Sequence, residues 1–346
     1  ETISHQIARG IVKLNLATET EGDNKKWRFV GVWAKNREEW LMTHLANMYF
    51  DMTTIGFFDS MGNSAVDFIL NQTELSCIFT TNEYIAKIVA MKKEGLAKSI
   101  QYLVCYDEAK EASVAAAKEV GVEVVAYSAV LEAGKNAADL TFNKCTGEAC
   151  PIFSYTSGTT GDSKGVKLTH NNLLASANSI STKILCNHED TNVSYLPYPH
   201  SFEQVMLGYM LMIGGRIGYY QGDPTKLTED CQLLKPTLFP SVPRLYNRIY
   251  GVLKGKMEQA GGCKSWMAAK ALESKLQALR ADATYTSGCW DKLVFRKICG
   301  ALGGEVKYMV TGSAPIDQQV LEFFKVCFCC PVLEGYGLTE TSGGAS

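Results

Sequence analysis

Short apolar runs alternate with helical patterns along this chain, and this alternation constrains the fold more than any other feature of the sequence. "FVGVWA" is followed by the helix-like "NREEWLMTHLANMYF", and "SCIFTT", "QYLVCYD" and "EVVAYS" each have a helical stretch before or after them. Strand–helix alternation favours a mostly parallel sheet that helices cover on both faces. The sequence therefore predicts an α/β fold.

The second half of the chain continues the same alternation. Strands are predicted at "VSYLPYP", "RIGYYQGD", "PTLFPSVP", "VKYMVTGSAP" and "VCFCCPVLEGYG", and a long helical region with a break at "AGG" is predicted over residues 245–282. A chain of 346 residues is long enough for about two lobes.

Composition excludes several classes of protein. A formal net charge of −2 gives no electrostatic footprint for nucleic acid. The twelve cysteines are scattered through a long chain, which favours a reducing, intracellular compartment over a disulfide framework. Cys327, Cys329 and Cys330 have no second pair or nearby histidine to complete a zinc site, so we interpret them as buried thiols.

The segment "YTSGTTGDSKG", from Tyr155 to Gly165, combines glycines, hydroxyl residues and one lysine. Such a loop lets the backbone approach an anion closely and supplies N–H groups, hydroxyls and a mobile positive charge. It is not a Walker A loop, because Ser163 stands where glycine should precede Lys164, and Gly165 stands where Ser or Thr should follow it. The residues alone therefore predict a phosphate-binding loop of another class, with a flexible turn as the alternative.

Four segments in order carry a resemblance to a known superfamily: "YTSGTTGDSKG", "YLPYPHSFEQ" (195–204), "VTGSAPI" (310–316) and "GYGLTET" (335–341). They resemble the core motifs of adenylate-forming enzymes, and "WRFVGVWAKNREEW" and "LFPSVPRLYNRIY" are similar to the eukaryotic long-chain fatty acyl-CoA synthetase branch. The resemblance implies that 1–346 is a truncated N-terminal adenylation (AMP-binding) domain. The implied lobes are 27–188, which carries the phosphate loop, and 1–26 plus 189–346, which carries the acyl and adenosine sites.

The resemblance also implies a reaction. The chain would take part in ATP-dependent activation of a long-chain fatty acid, through an acyl adenylate to acyl-CoA, with Mg²⁺ as cofactor and ATP and CoA as co-substrates. Phosphate binding is then expected from Thr156, Ser157, Gly158, Thr159, Thr160, Gly161 and Lys164.

The remaining site residues are also given by the resemblance. The catalytic set is Thr339, which would bind the α-phosphate, Glu340, which would bind Mg²⁺ together with Thr156, and Lys164. His200 would position the acyl substrate. Adenosine binding is expected from Gly312, Ser313, Ala314, Glu334, Gly335, Tyr336 and Gly337, with Tyr336 stacking on adenine, although taken alone Tyr336 could equally be a core aromatic.

The sequence departs from the family pattern at Asp162-Ser163, where family members usually have Asn-Pro. This places a negative charge near the polyphosphate and leaves its effect on ATP affinity open. A ribose-binding aspartate, a hinge and a C-terminal domain with a catalytic lysine are expected beyond this chain, so the chain alone is expected to be inactive or weakly active. Peripheral association with the cytosolic face of an organelle membrane would use segments outside it.

Two other functions stay open at this stage. One is an adenylate-forming enzyme with a different acceptor, such as a carrier-protein thiol. The other is a non-catalytic scaffold that retains the fold. The presence of Lys164, Thr339 and Glu340 argues against this alternative. Acyl chain length is a property of pocket depth and is not fixed by the sequence.

Overall fold

The computed structural model describes residues 2–157 and 163–344. Contacts divide the chain into two compact units. The first unit comprises the residues up to Leu173 together with Pro197–Ser201, and the second comprises Leu174–Leu196 and the residues from Phe202 onward.

Within the described residues, the first unit contains one sheet in the order β6-β5-β4-β2-β3-β7-β8, with β1 paired to β2. Strands β2 to β7 pair in parallel, whereas β1 and β8 are antiparallel to their neighbours. The strands are β1 (Glu19–Gly22), β2 (Lys25–Trp33), β3 (Thr53–Phe57), β4 (Cys77–Thr80), β5 (Tyr102–Cys105), β6 (Glu123–Ala126), β7 (Ile152–Ser157) and β8 (Ser163–Leu168).

Helices connect these strands, as the sequence predicts. Every residue of β3 and β4 is buried, because a parallel sheet is covered on both faces. The core of this unit includes Trp33, Phe57 and Ile78. The helices are α1 (Ile3–Lys13), α2 (Glu38–Met48), α3 (Asn63–Thr73), α4 (Asn82–Lys93), α5 (Glu111–Glu119), α6 (Tyr127–Lys135) and α7 (His170–Ser181), the last of which begins in the first unit and ends in the second.

The second unit contains a sheet in the order β10-β9-β11-β12-β13, with every pairing parallel. Its strands are β9 (Thr191–Ser194), β10 (Arg216–Tyr219), β11 (Leu238–Ser241), β12 (Tyr308–Thr311) and β13 (Val332–Glu334). Four of them lie inside segments predicted as strands, whereas β9 ends at Ser194 and shares only its last two residues with the predicted "VSYLPYP". The α/β assignment with mostly parallel sheets is confirmed.

Helices of the second unit follow the same alternation, and the predicted helical region over 245–282 is two helices that meet at the "AGG" break. A π-helical turn, Asp291–Phe295, precedes the short α13. The helices are α8 (Ser201–Met212), α9 (Leu227–Leu234), α10 (Pro243–Gln259), α11 (Gly262–Asp282), α12 (Gly288–Trp290), α13 (Arg296–Cys299) and α14 (Gln318–Phe328). No helix within 2–157 and 163–344 is both long enough and apolar enough to span a bilayer.

One strand prediction is wrong in part. The segment "VCFCCPVLEGYG" was expected to be a single buried strand, but its first three residues end α14, and β13 begins only at Val332. Cys329 ends the helix with a left-handed backbone conformation, at a φ of 55°. A short apolar run has the same burial in a covered helix as in a covered strand, so its composition does not distinguish them.

The two units divide the chain differently from the expected lobes in three places, one of which is 174–188, which belongs to the second unit. Residues of α1 belong to the first unit, since α1 packs against α6 and α2, and Arg9 Nε donates to the Leu140 carbonyl at 3.1 Å. Pro197–Ser201 also belongs to the first unit, although strands of the second unit lie on either side of it in sequence.

Candidate functional site

The predicted phosphate loop lies at the end of an antiparallel hairpin, formed by β7 and β8, that we call the phosphate hairpin. Thr156 pairs with Lys164, and Ser157 pairs with Ser163. Gly158, Thr159, Thr160 and Gly161 lie outside the described residues. The strand that follows the loop explains why the Walker pattern fails, because that pattern belongs to a loop that runs directly into a helix.

Lys164 is an exposed lysine on this hairpin. The second lysine of β8, Lys167, forms an ion pair with Asp23, with Nζ and Oδ2 2.5 Å apart. Lys164 forms no ion pair with any residue that the structure describes. Thr156, directly across the hairpin, is half-buried. The pair therefore offers a cation and a hydroxyl that are both available to an anionic ligand.

The two segments predicted to bind adenosine come together in the second unit. β12 and β13 pair in parallel, with Thr311 opposite Glu334. The N–H of Gly335 donates to the Thr311 carbonyl at 2.8 Å. Gly312, Ser313 and Ala314 therefore follow β12 at the same edge of the sheet where Gly335, Tyr336 and Gly337 follow β13. We call these two segments the adenosine turns; ligands of open parallel sheets characteristically bind beyond the carboxyl ends of the strands.

Backbone conformation and close backbone contacts, rather than side-chain packing, determine the shape of the adenosine turns. Ser313 has a φ of 70°, in the left-handed region. A methyl group on Gly337 would lie 2.3 Å from the Gly343 carbonyl oxygen, so only glycine fits there. A 3₁₀ turn over Thr339–Thr341 follows, and the Thr341 hydroxyl accepts the Leu338 N–H at 2.9 Å. This turn fixes the backbone of Thr339 and Glu340.

Three side chains of this region reach solvent. Tyr336 is 65% exposed, so it is not a core aromatic. Glu340 is exposed and Thr339 is half-buried. Glu340 pairs with no cation among residues 2–157 and 163–344. An exposed ring, an unpaired carboxylate and a hydroxyl thus follow β13 within six positions.

His200 lies in a turn that the first unit holds in place. The Ser154 hydroxyl donates to the Pro199 carbonyl at 2.7 Å, and Ser154 belongs to β7, two residues before Thr156. A methyl group on Gly56 would lie 2.4 Å from Pro199 Cγ, so the glycine of β3 makes room for this turn. His200 is thereby attached to the strand that carries the phosphate hairpin.

Aromatic packing fixes the same turn. Tyr198 stacks on Trp40 with ring centroids 4.7 Å apart, and its N–H donates to Asn36 Oδ1 at 3.3 Å. His200 as a residue is exposed, while desolvation by surrounding protein lowers the pKa of its imidazole. A neutral imidazole suits positioning by hydrogen bonds better than ionic binding.

Glu203 was not singled out from the sequence, although it lies in the "YLPYPHSFEQ" motif. Its carboxyl group is buried and lies 2.6 Å from the Ser194 hydroxyl, and its second oxygen has no hydrogen-bond partner. Burial raises the pKa of Glu203 to about 8. The side chain is therefore protonated at neutral pH, which spares the second unit an uncompensated buried charge.

Known proteins resemble this chain in sequence and in fold. Residues 2–346 match the family model described as AMP-binding enzyme. The chain is 38% identical over 313 residues to "Long chain acyl-CoA synthetase 6, peroxisomal" of Arabidopsis thaliana, which covers 90% of this chain and 44% of that protein. It is 34% identical over 327 residues to "Long-chain-fatty-acid--CoA ligase 5" of Mus musculus, covering 92% of this chain and 47% of that protein.

Solved structures show the same fold. The adenylation domain of a carboxylate reductase from Mycobacterium chelonae has a TM-score of 0.76 at 18% identity, over 97% of this chain and 50% of that one. The N-terminal domain of FACL13 from Mycobacterium tuberculosis has a TM-score of 0.65 at 18% identity, over 99% of this chain and 69% of that one.

The sheets and turns of this chain are thus those of the adenylate-forming fold. The chain belongs to the AMP-binding enzyme family. It spans about half the length of the curated relatives it matches.

Proposed function

We propose that this chain binds ATP and a long-chain fatty acid and contributes to forming an acyl adenylate, which then reacts with CoA. In the first step a carboxylate oxygen attacks the α-phosphorus of ATP, and pyrophosphate leaves. Both reactants are anions, so the protein must supply positive charge and fixed donors rather than a nucleophile. The relatives named above, which are long-chain acyl-CoA synthetases, support the substrate class.

The observation that carries the proposal is the register of β12 against β13, which brings the predicted adenosine turns together. Tyr336 would stack on adenine, and the backbone of the two turns would surround the nucleoside. Thr339 would donate to the α-phosphate from its fixed 3₁₀ turn.

The phosphate hairpin contributes the charge. Lys164, which is exposed and free of ion pairs among the described residues, would neutralise the β- and γ-phosphates. Thr156, across from it, would supply a hydroxyl. His200, attached to β7 through Pro199, would position the acyl carboxylate.

The residues present fit Mg²⁺ as a substrate-bound ion. The described residues contain no cluster of three or more acidic, histidine or cysteine side chains that could enclose a metal. Glu340 and Thr156 offer single oxygen ligands, and Mg²⁺ commonly takes one or two carboxylates and completes its shell with water and substrate phosphates. When bound, the ion would supply positive charge at those phosphates.

The test is ATP–pyrophosphate exchange with fatty acids of increasing chain length, performed on the polypeptide that carries this chain in full. We expect exchange to depend on a long-chain fatty acid and on Mg²⁺. Exchange with no carboxylic acid at all, or none with any fatty acid, would overturn the proposal. Adding CoA or a carrier-protein thiol then identifies the acceptor, and only CoA should give the thioester.

A further inference from the structure

The two faces of β7 carry side chains with different surroundings. Side chains alternate between the faces of a strand, so Tyr155 lies on one face and its neighbours Ser154 and Thr156 lie on the other. Tyr155 is buried in the hydrophobic core of the first unit. Ser154 donates to the Pro199 carbonyl, and Thr156 is half-buried. One face of β7 is therefore anchored in the core, while the other carries Thr156 and the contact that holds the His200 turn.

The Tyr155 ring lies over Gly165, its cross-strand partner in β8. A methyl group on Gly165 would lie 2.9 Å from Tyr155 Cζ and 3.1 Å from Cε1. The ring thus fills the place that a side chain at position 165 would take. The φ of Gly165 is outside the left-handed region, so the ring rather than the backbone conformation requires glycine here.

A hydrogen bond from α3 fixes the ring in this position. Tyr155 Oη donates to Gln72 Oε1 at 2.8 Å, an ordinary length for a bond between a hydroxyl and an oxygen acceptor. Gln72 lies in the last turn of α3, and α3 packs against β8. The bond therefore ties the phosphate hairpin to a helix that lies far from it in sequence.

The next cross-strand pair of the hairpin is Thr156 with Lys164. Because side chains alternate, both lie on the face opposite the Tyr155 ring. Lys164 is exposed. A twist of the hairpin about its strands would move the hydroxyl and the ammonium group together, and the bond from Tyr155 to Gln72 opposes such a twist.

We propose that Tyr155, Gly165 and Gln72, which we call the tyrosine clasp, position the phosphate hairpin so that Thr156 and Lys164 are held for polyphosphate binding. The three are positioning residues, since each acts through the opposite face of the hairpin. This role rests on the proposed function, because it requires that the hairpin bind the β- and γ-phosphates. Loosening the clasp should therefore weaken binding of ATP and leave binding of AMP, which lacks those phosphates, unchanged.

Calorimetry of ATP and AMP binding to the 346-residue chain tests the clasp. Tyr155→Phe keeps the ring over Gly165 and removes only the hydroxyl. We expect ATP binding roughly threefold to tenfold weaker, as the loss of one neutral hydrogen bond gives, with AMP binding unchanged. Gln72→Leu should give the same result, and the double variant should be no weaker than either single variant, because all three lack the same bond.

Gly165→Ala tests the contact with the ring. The added methyl should displace the ring from Gln72 and weaken ATP binding at least as much as Tyr155→Phe does, again without an effect on AMP. In a Tyr155→Leu background the same change should add no further loss, because the ring that the methyl displaces is then absent.

Tyr106→Phe is the matched control. Tyr106 and Tyr155 are both 8% exposed, and Tyr106 Oη donates to Thr43 Oγ1 at 2.9 Å. Tyr106 follows β5, which lies four strands from β7 in the sheet. Each variant loses one tyrosine hydrogen bond, so both should unfold at lower urea concentration than wild type. The ratio of ATP affinity to AMP affinity should change only in Tyr155→Phe.

Two results would overturn the clasp alone: an unchanged affinity ratio in Tyr155→Phe, or the same change of ratio in Tyr106→Phe. Tyr155→Phe preserves the packing of the ring, so it decides even where Gly165→Ala fails to fold. Absence of ATP binding in wild type would instead overturn the proposed function, and the clasp with it.

Discussion

The phosphate hairpin and the adenosine turns present different chemical groups. The hairpin presents side chains, Thr156 and Lys164, from opposite strands. The adenosine turns instead present backbone, because two parallel strands end side by side and Gly337 leaves no room for a side chain beside Gly343. A charged region should lose binding without losing stability when it is mutated, whereas a backbone-shaped region should lose both.

The units also differ in what they bury. Among the described residues, the buried carboxyl groups are Asp190 and Glu203, and both lie in the second unit. Asp190 Oδ1 accepts from Lys307 Nζ at 2.8 Å, which compensates its charge. Glu203 has only the Ser194 hydroxyl.

The largest expected effect follows from Glu203. The pKa of its carboxyl group is about 8 in the folded chain, above the usual 4.5. Between these two pH values, Glu203 keeps its proton in the folded chain and loses it in the unfolded chain. The contribution of Glu203 to the free energy of unfolding is therefore fully present below the pKa of the unfolded chain. It falls as pH rises towards 8, by at most about 4 kcal/mol, since each pKa unit corresponds to about 1.36 kcal/mol. Urea unfolding of wild type at pH 5 and pH 8 should show this loss.

Glu203→Gln, which cannot ionise, should flatten that pH dependence, while Glu258→Gln, at an exposed position, should leave it unchanged. Equal pH dependence in wild type and Glu203→Gln would show that the carboxyl group is ionised in the folded chain.

The next largest effect is expected from Gly337→Ala. The added methyl would lie 2.3 Å from a backbone oxygen, and such overpacking costs about 1–3 kcal/mol. We expect lower stability and at least roughly tenfold weaker binding of both AMP and ATP, by calorimetry on the 346-residue chain. Gly344→Ala, where a methyl meets nothing within 4 Å, should change neither. Unchanged AMP binding in Gly337→Ala would place adenosine elsewhere.

Tyr336→Leu isolates the aromatic contribution to the same region. Stacking of a base on an aromatic ring is worth about 1–3 kcal/mol, so AMP and ATP binding should both weaken by roughly thirtyfold at the midpoint. Stability should not change, because the ring is 65% exposed. Tyr336→Phe keeps the ring face and should bind as wild type. If Phe and Leu are equally weak, the hydroxyl rather than the ring contacts the nucleotide.

The comparison also shows what sequence can predict. The strand–helix alternation predicts most of the parallel strands, because their apolar runs are bounded by turn residues, but β3 and β7 lie in no predicted strand. It misses β8, whose "SKGVKL" carries two lysines and pairs at the edge of a sheet. It also misreads the end of α14, where helix and strand share the same burial. These errors arise where tertiary pairing, rather than local pattern, decides the element.

The candidate site was predicted as a list of residues, but its geometry was not. That Gly312 and Gly335 lie side by side follows from the pairing of β12 with β13, which no local motif encodes. The attachment of the His200 turn to Gly56 and Ser154 joins residues far apart in sequence, so it is visible only in the fold. The roles of these residues stay predictions until the variants are measured.

The central claim is that the phosphate hairpin recognises polyphosphate while the adenosine turns recognise adenosine, and Lys164→Ala tests it most directly. Calorimetry on the 346-residue chain should show ATP binding about tenfold weaker, the loss of one charge-assisted contact, with AMP binding and the urea midpoint unchanged. The matched control, Lys167→Ala on the same strand, should bind both nucleotides as wild type. Equal weakening of AMP and ATP in Lys164→Ala, or no weakening of either, would contradict the account.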